Sequence, residues 1–298
     1  MEHALTRKKK ISAYDVTVYI ILGILALITF YPFYNVLIIS FARFDVISKS
    51  NLYWLPLSFD FSAYKLIFGD GKFWNAFGVS ALVTVAGVAF SMVISVAGAY
   101  ALSKKGMPGR NLLLTLILIT MFFNGGLIPF YLIVKNLGLV NNILVMLVPA
   151  GINTLYLIIM KNYFNTIPEG LEESAKLDGA NDITILLRII IPISAPFMAT
   201  FALFYAVERW NEWWHALIFI SDSAKAPLQI YLREVLITSN SSLNSMAMTL
   251  AEQKATTKVY TPSLQMATII VSCIPIMLVY PFLQKHFAKG ILVGSIKE

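Results

Sequence analysis

The chain has 298 residues, of which 58% are hydrophobic and only 13% charged, with a formal net charge of +7 and a mean hydropathy of +0.72. A soluble domain is about a quarter charged and about half apolar, so the composition excludes a disordered protein, a fibre and most soluble enzymes. A single cysteine, Cys273, excludes an intrachain disulfide framework and a Cys-cluster metal site.

The basic residues lie between apolar runs, which fits positive loops beside membrane spans better than a nucleic-acid surface. A spanning helix needs about 20 mostly apolar residues. Runs free of Asp, Glu, Lys and Arg predict six spans, at 16–42, 73–103, 111–134, 136–160, 189–207 and 259–284, the fifth extending to about 220. The fold class read from this is all-α integral membrane with six transmembrane helices. Arg7-Lys8-Lys9-Lys10 precedes the first run, which is too long for a signal-peptide core and lacks a small-residue cleavage site. It reads as a retained helix behind a cytoplasmic segment, 1–15. Most of the Lys and Arg fall on the side of the N-terminus, and the short loop Ser103–Arg110 alone holds Lys104, Lys105 and Arg110. That places both termini in the cytoplasm, with the membrane domain over 16–288 and a tail at 289–298.

In the second span Gly87, Ser91 and Ser95 repeat every four residues, a stripe suited to close helix packing. In the third, Asn124-Gly125-Gly126 breaks the helix. It lines a cavity, where irregular backbone is tolerated at depth, or marks the outer end of the helix.

The cytoplasmic loop between spans four and five, about 165–192, has a different character. Thr166 stands three residues before Glu169, a capping-box spacing, with Pro168 in the first turn, and predicts a helix over about 168–177. Leu171, Ser174, Ala175 and Asp178 share a face. Gly179 turns the chain at no steric cost, and Asn181 or Asp182 caps a second helix leading into span five. Pro192 and Pro196 kink that span near its start. The loop serves as a plain connector, or as a docking element that uses an acidic face with small side chains.

Late in span five lies Glu208-Arg209-Trp210-Asn211-Glu212-Trp213-Trp214-His215. Ionisable residues at membrane depth face a cavity or a partner. On a continuous helix Glu208, Glu212 and His215 form one stripe, Trp210 and Trp214 another, and Arg209 pairs with Glu212. Aromatic rings stack on sugar ring faces while carboxylates and guanidinium groups bind hydroxyls. The second reading is an interfacial aromatic belt.

The run Glu173-Ser174-Ala175, Gly179 after three residues, and Ile189-x-Ile191-Pro192 after nine more resembles the EAA loop of bacterial ABC importer permeases. Ser174 stands for an Ala and Ile191 for a Leu. The Trp210-Asn211-Glu212 cluster, Ile128-Pro129-Phe130-Tyr131-Leu132 and the tail from His286 to Lys297 resemble the carbohydrate-uptake branch, similar to the second permease of the maltose importer. Met121-Phe122-Phe123-Asn124-Gly125-Gly126 resembles the subgroup handling oligosaccharides from complex polysaccharides, alginate included.

The resemblance implies the type I importer permease fold, paired with a second homologous permease, two cytoplasmic ATP-binding subunits and an extracytoplasmic solute-binding protein, in the cell membrane. It implies docking by Glu172, Glu173, Ser174, Ala175, Asp178, Gly179, Ala180 and Pro192, with the tail adding contacts. The candidate substrate path is Glu208, Arg209, Trp210, Asn211, Glu212, Trp213, Trp214 and Asn124, for an oligosaccharide. Arg209 would tolerate an acidic one such as a uronide. The chain holds no Gly-x-x-x-x-Gly-Lys-Ser/Thr loop, its Gly71-Lys72 being followed by Phe, so ATP and Mg are expected on partner chains and no cofactor on this one. No catalytic constellation, metal-ligand spacing or nucleic-acid partner is read. The alternatives are the same architecture carrying a non-sugar solute, and a secondary transporter working alone.

Overall fold

The computed structural model describes residues 13–42, 59–241 and 261–295. In chain order they form α1 (Ala13–Ser40), α2 (Ser62–Gly69), α3 (Gly71–Ser103), α4 (Arg110–Phe122), α5 (Leu127–Asn136), α6 (Thr154–Phe164), α7 (Glu169–Leu177), α8 (Asp182–Ile193), α9 (Ala195–Trp210), α10 (Trp214–Phe219), α11 (Leu228–Ser241) and α12 (Thr261–Ser295). Short 3-10 turns sit at Ile143–Met146 and Ser223–Lys225, and the described residues contain no strand. Most of the expected segment 1–15, and the last three residues of the tail 289–298, lie outside the described residues. Helix α12 runs on to Ser295, past the end of its uncharged run.

Three helices are long and apolar enough to cross a membrane, over Tyr14–Ser40, Gly71–Ser103 and Thr261–Val279. Two further apolar stretches are bent pairs, α4 with α5 at 119° and α8 with α9–α10 at 88°, so the described residues hold three such helices, or up to five spans if each pair counts once. Six uninterrupted helices are not what forms, and hydrogen bonding explains each break. At 123–126 the Asn124 carboxamide accepts from the Gly126 amide at 2.9 Å, and Gly126 takes φ +85°. The chain turns back there, as at the end of a helix.

The run 136–160 departs most from a single helix. Gly138 (φ +67°) and Asn141 (φ +56°) turn the backbone, Asn142 caps the 3-10 turn, and α6 begins only after Asn153 accepts from the amides of Leu155 and Tyr156. Short amide side chains bond nearby backbone and so compete with helix. Pro149 and Gly151 lie in the unwound stretch between. In α8 the residues Leu186–Ile190 widen into a π-turn just before Pro192, which lacks an amide hydrogen and crowds the carbonyl four residues back. Pro196 then falls in the first turn of α9, where its missing donor costs nothing.

Two units of the chain are distinct, 1–67 with 235–271 and 68–234 with 272–298. In the first, Ser40 and Tyr64 share a hydrogen bond of 2.7 Å, Phe41 stacks on Tyr64, and Ser263 donates to the Ala42 carbonyl at 2.6 Å. In the second, α3 is the axis. Asp70 caps it, and it packs against α6 and α9. One apolar cluster joins Val96, Ala99, Tyr100 and Leu102 of α3 to Leu157, Met160, Phe164, Ala175, Ile185, Phe201 and Tyr205. The other joins Val79 and Val83 to Val134, Val145, Met146 and Phe219.

Candidate functional site

The loop around α7 is built as a closed unit. Its end is a Schellman turn: the Ala180 amide donates to the Ala175 carbonyl at 2.9 Å, the Gly179 amide to that of Lys176 at 3.0 Å, and Gly179 takes φ +82°. Asn181 starts α8 by accepting from the Thr184 amide at 2.8 Å, and Lys176 bridges the turn to Asp182 at 3.1 Å. That pair raises the Lys176 pKa above its ordinary value. The start of α7 differs from expectation. Thr166 donates to the Tyr163 carbonyl instead, so no capping box forms, and Pro168 opens the helix without a side-chain cap.

Besides that bridge to α8, further contacts hold α7 to the rest of its unit. Ala175 is buried in the apolar cluster. Glu172 pairs with Lys104. Glu169 pairs with Lys105 at 2.7 Å, and that hydrogen bond holds the Glu169 carboxyl below its ordinary range. The expected docking set therefore divides. Glu173, Ser174, Asp178 and Gly179 are exposed, and Leu177 is 90% exposed beside them. Ala175 faces inward, Ala180 is half-buried, and Glu172 already has an intrachain cation, so it is not a free acidic group. Pro192 is exposed and belongs to the bend in α8.

The aromatic cluster also divides, because α9 stops at Trp210 with Asn211 as its C-cap. Glu208 is exposed, and its Oε1 accepts from the Tyr156 hydroxyl at 2.7 Å and the Asn153 carboxamide at 3.2 Å. Tyr205 lies beneath. Its hydroxyl accepts from the Asn153 amide at 3.2 Å and shares a 2.7 Å hydrogen bond with Ser95. Past the break, Glu212 forms a local pair with His215, accepting from its amide at 2.9 Å with Nδ1 at 3.0 Å. The expected stripe of Glu208, Glu212 and His215 is thus split.

Arg209 does not pair with Glu212. It is 3% exposed and donates to the carbonyls of Met146 (2.8 Å) and Ala150 and to Ser91 Oγ (3.0 Å). Among the described residues no carboxylate lies within 4 Å of it. The guanidinium fits because Gly87 has no side chain: a Cβ there would meet Arg209 Cδ at 2.8 Å. Trp210 is buried too, donating from its indole to the Ser272 carbonyl at 3.1 Å and meeting Phe77 edge-on, so it does not share a face with Trp214. Glu208, Asn211, Trp213 and Trp214 remain exposed, the last two in an edge-to-face pair. Asn124 is exposed in its turn.

Sequence reasoning missed Lys104 and Lys105 as partners of α7, and Ser95, Asn153, Tyr156 and Tyr205 around Glu208. All are long-range pairings. The one available signal was the Gly87/Ser91/Ser95 stripe, which marked the face of α3 that receives α9.

A family model for "Binding-protein-dependent transport system inner membrane component" matches residues 94–293. The chain is 42% identical to protein LplC of Bacillus subtilis (strain 168), over 99% of this chain and 98% of that protein. It is also 42% identical to the "Polygalacturonan/rhamnogalacturonan transport system permease protein YtcP" of the same organism, over 95% of this chain and 98% of that one. A crystal structure of a bacterial ABC transporter "involved in the import of the acidic polysaccharide alginate" superposes on it with a TM-score of 0.85 at 34% identity, covering 92% of this chain and 96% of that chain.

Proposed function

The chain belongs to the family of binding-protein-dependent transport system inner membrane components, and from that premise we propose that it is the transmembrane subunit of an ATP-binding-cassette importer for an oligosaccharide. It crosses the cytoplasmic membrane six times with both termini inside, the unwound stretch before α6 belonging to the fourth crossing. It pairs with a second permease, two ATPase subunits carry ATP and Mg, and a solute-binding protein delivers the sugar.

The observation that carries this reading is α7. The loop that closes on Gly179 is braced inward by Ala175 and Glu172 and turns Glu173, Ser174 and Leu177 outward. An acidic, small-residue helix with one nearly bare leucine suits insertion into a cleft on another protein. The tail beyond 287 lies on the same side and adds contacts. ATP closure moves the docked loops together, and the two permeases rock between outward-facing and inward-facing states. Differential docking to those states supplies the bias, since a ligand shifts a two-state equilibrium only by its difference in affinity.

On the transport side, Glu208 is an exposed carboxylate among apolar segments. Facing lipid it would cost about 2.5–3.5 kcal/mol, so it lines a hydrated path. With Asn211, Trp213 and Trp214 it offers hydroxyl acceptors and ring faces to a sugar. Arg209 is committed to backbone carbonyls and does not reach the substrate, so a uronide would be neutralised from elsewhere in the complex. Recognition of hydroxyls by Glu208 is tested by Glu208→Leu. A hydrogen bond to a charged group is worth about 1.5–3 kcal/mol, so oligosaccharide uptake is expected to fall at least about tenfold while the ATPase subunits still co-purify. Wild-type uptake in Glu208→Leu and in Trp213→Ala/Trp214→Ala would remove this face from the path.

A further inference from the structure

We propose that the Lys104–Glu172 pair is the link through which movement of the docking helix α7 reaches α3, which makes Lys104 a positioning residue for transport. The inference rests on the importer reading. The peptide chain joins α7 directly to α6 and α8, but it does not join it to α3. Non-covalent contacts alone make that connection, and two of them are ion pairs to the two residues that follow α3, Lys104 and Lys105.

The two pairs are unequal. Lys105 and Glu169 are 80% and 72% exposed, where an ion pair is screened and worth little. Lys104 and Glu172 are 27% and 20% exposed. Lys104 is also the C-cap residue of α3, its amide donating to the Ala101 carbonyl, and its ammonium stands 3.9 Å over the Tyr100 ring. The charge is therefore fixed to the end of α3, where a cation also suits the helix dipole.

Helix α3 can carry that displacement. Its 33 residues are continuous, about 50 Å at 1.5 Å per residue. About two turns before its C-terminal end, Ser95 holds Tyr205, and Tyr205 holds the Asn153 amide at the head of α6. Asn153 and Tyr156 in turn hold Glu208. One and two turns further along, Ser91 and Gly87 seat Arg209 against the carbonyls of Met146 and Ala150. A shift of Lys104 with α7 thus acts on the groups that aim Glu208.

The test is a charge swap in the reconstituted complex of both permeases, the ATPase subunits and the binding protein. Lys104→Glu and Glu172→Lys are each expected to lower uptake at least fivefold while the ATPase subunits co-purify and hydrolysis continues, so that sugar moved per ATP falls. Lys104→Met, which keeps the stem over Tyr100 without the charge, is expected to do the same if the reversals fail to insert. The double variant Lys104→Glu/Glu172→Lys is expected to return uptake to within twofold of wild type. A swap no better than the worse single variant, or a Lys104→Met protein with wild-type transport per ATP, overturns the link. Loss of the ATPase subunits from Glu172→Lys that the swap does not restore overturns it too, by making Glu172 an ATPase contact. Uptake by the unaltered complex without ATP would instead sink the importer reading.

Discussion

Replacing Arg209 with Met is expected to destabilise the second unit by about 2–6 kcal/mol, from about 1–3 kcal/mol for each of the two carbonyls left without a donor. Those carbonyls, of Met146 at the end of the 3-10 turn and of Ala150, lie in the stretch between α5 and α6, outside any α-helix. The guanidinium supplies several donors at once in a fixed fork, and lysine, with a single ammonium, would not reach them all. The expected reading is a fall in apparent melting temperature of roughly 5–15 °C for the purified protein. Gly87→Ala sharpens the test. At an ordinary mid-helix position the change would stabilise by about 0.8–1 kcal/mol. Here a Cβ would sit 2.8–3.0 Å from Arg209 atoms that three hydrogen bonds hold in place, so the sign is expected to reverse. In an Arg209→Met background that penalty is expected to shrink, the coupling that residues in contact display. Equal Gly87→Ala effects in both backgrounds would show that Arg209 does not occupy this seat.

Gly179→Val is expected to abolish ATP-driven uptake, by more than tenfold, in a protein that still inserts. Its φ of +82° costs an L-residue about 1–2 kcal/mol, and a β-branched side chain is a severe outlier there. Within the chain a Cβ at 179 meets nothing within 4 Å, so the fold of the permease tolerates the volume. What changes is the turn that sets α7 against α8, and the surface proposed to dock on the ATPase subunit. Gly179→Asn separates these two. Asn is enriched at positive φ, so it is expected to keep the turn and most of the uptake if geometry alone matters, and to fail like Val if bulk at the interface matters. Co-purification of the ATPase subunits is the companion readout, and wild-type uptake by Gly179→Val would contradict a docking role for this turn.

The parts of this molecule readable from residue order are those that local chemistry decides. Gly179 and Asn181 each have one favourable task in the backbone, and both perform it. The small residues of α3 announced a close neighbour, and α9 is that neighbour. An uncharged run was a poorer guide. It reports that a stretch prefers lipid or core, and says nothing of whether its amides can all pair within one helix. The run 136–160 is uncharged throughout, yet Gly138, Asn141, Asn142, Pro149, Gly151 and Asn153 favour turns and caps, and the structure follows them. The partner of Arg209 was out of reach for a related reason. Glu212, three residues on, was the apparent counterion only on the assumption that the helix continues, but α9 stops at Trp210, and the separate stretch before α6 supplies the carbonyls that Arg209 serves. The Lys104 partner of Glu172 was out of reach as well, since nothing near Glu172 in the chain points to it.

The importer account stands most directly on one measurement, oligosaccharide uptake into vesicles bearing both permeases, with the solute-binding protein outside, ATP inside, and the ATPase subunits present or omitted. The account expects uptake only when the ATPase subunits and ATP are both there. Uptake that persists without the ATPase subunits would contradict it, and would make this chain part of a carrier driven by something other than ATP.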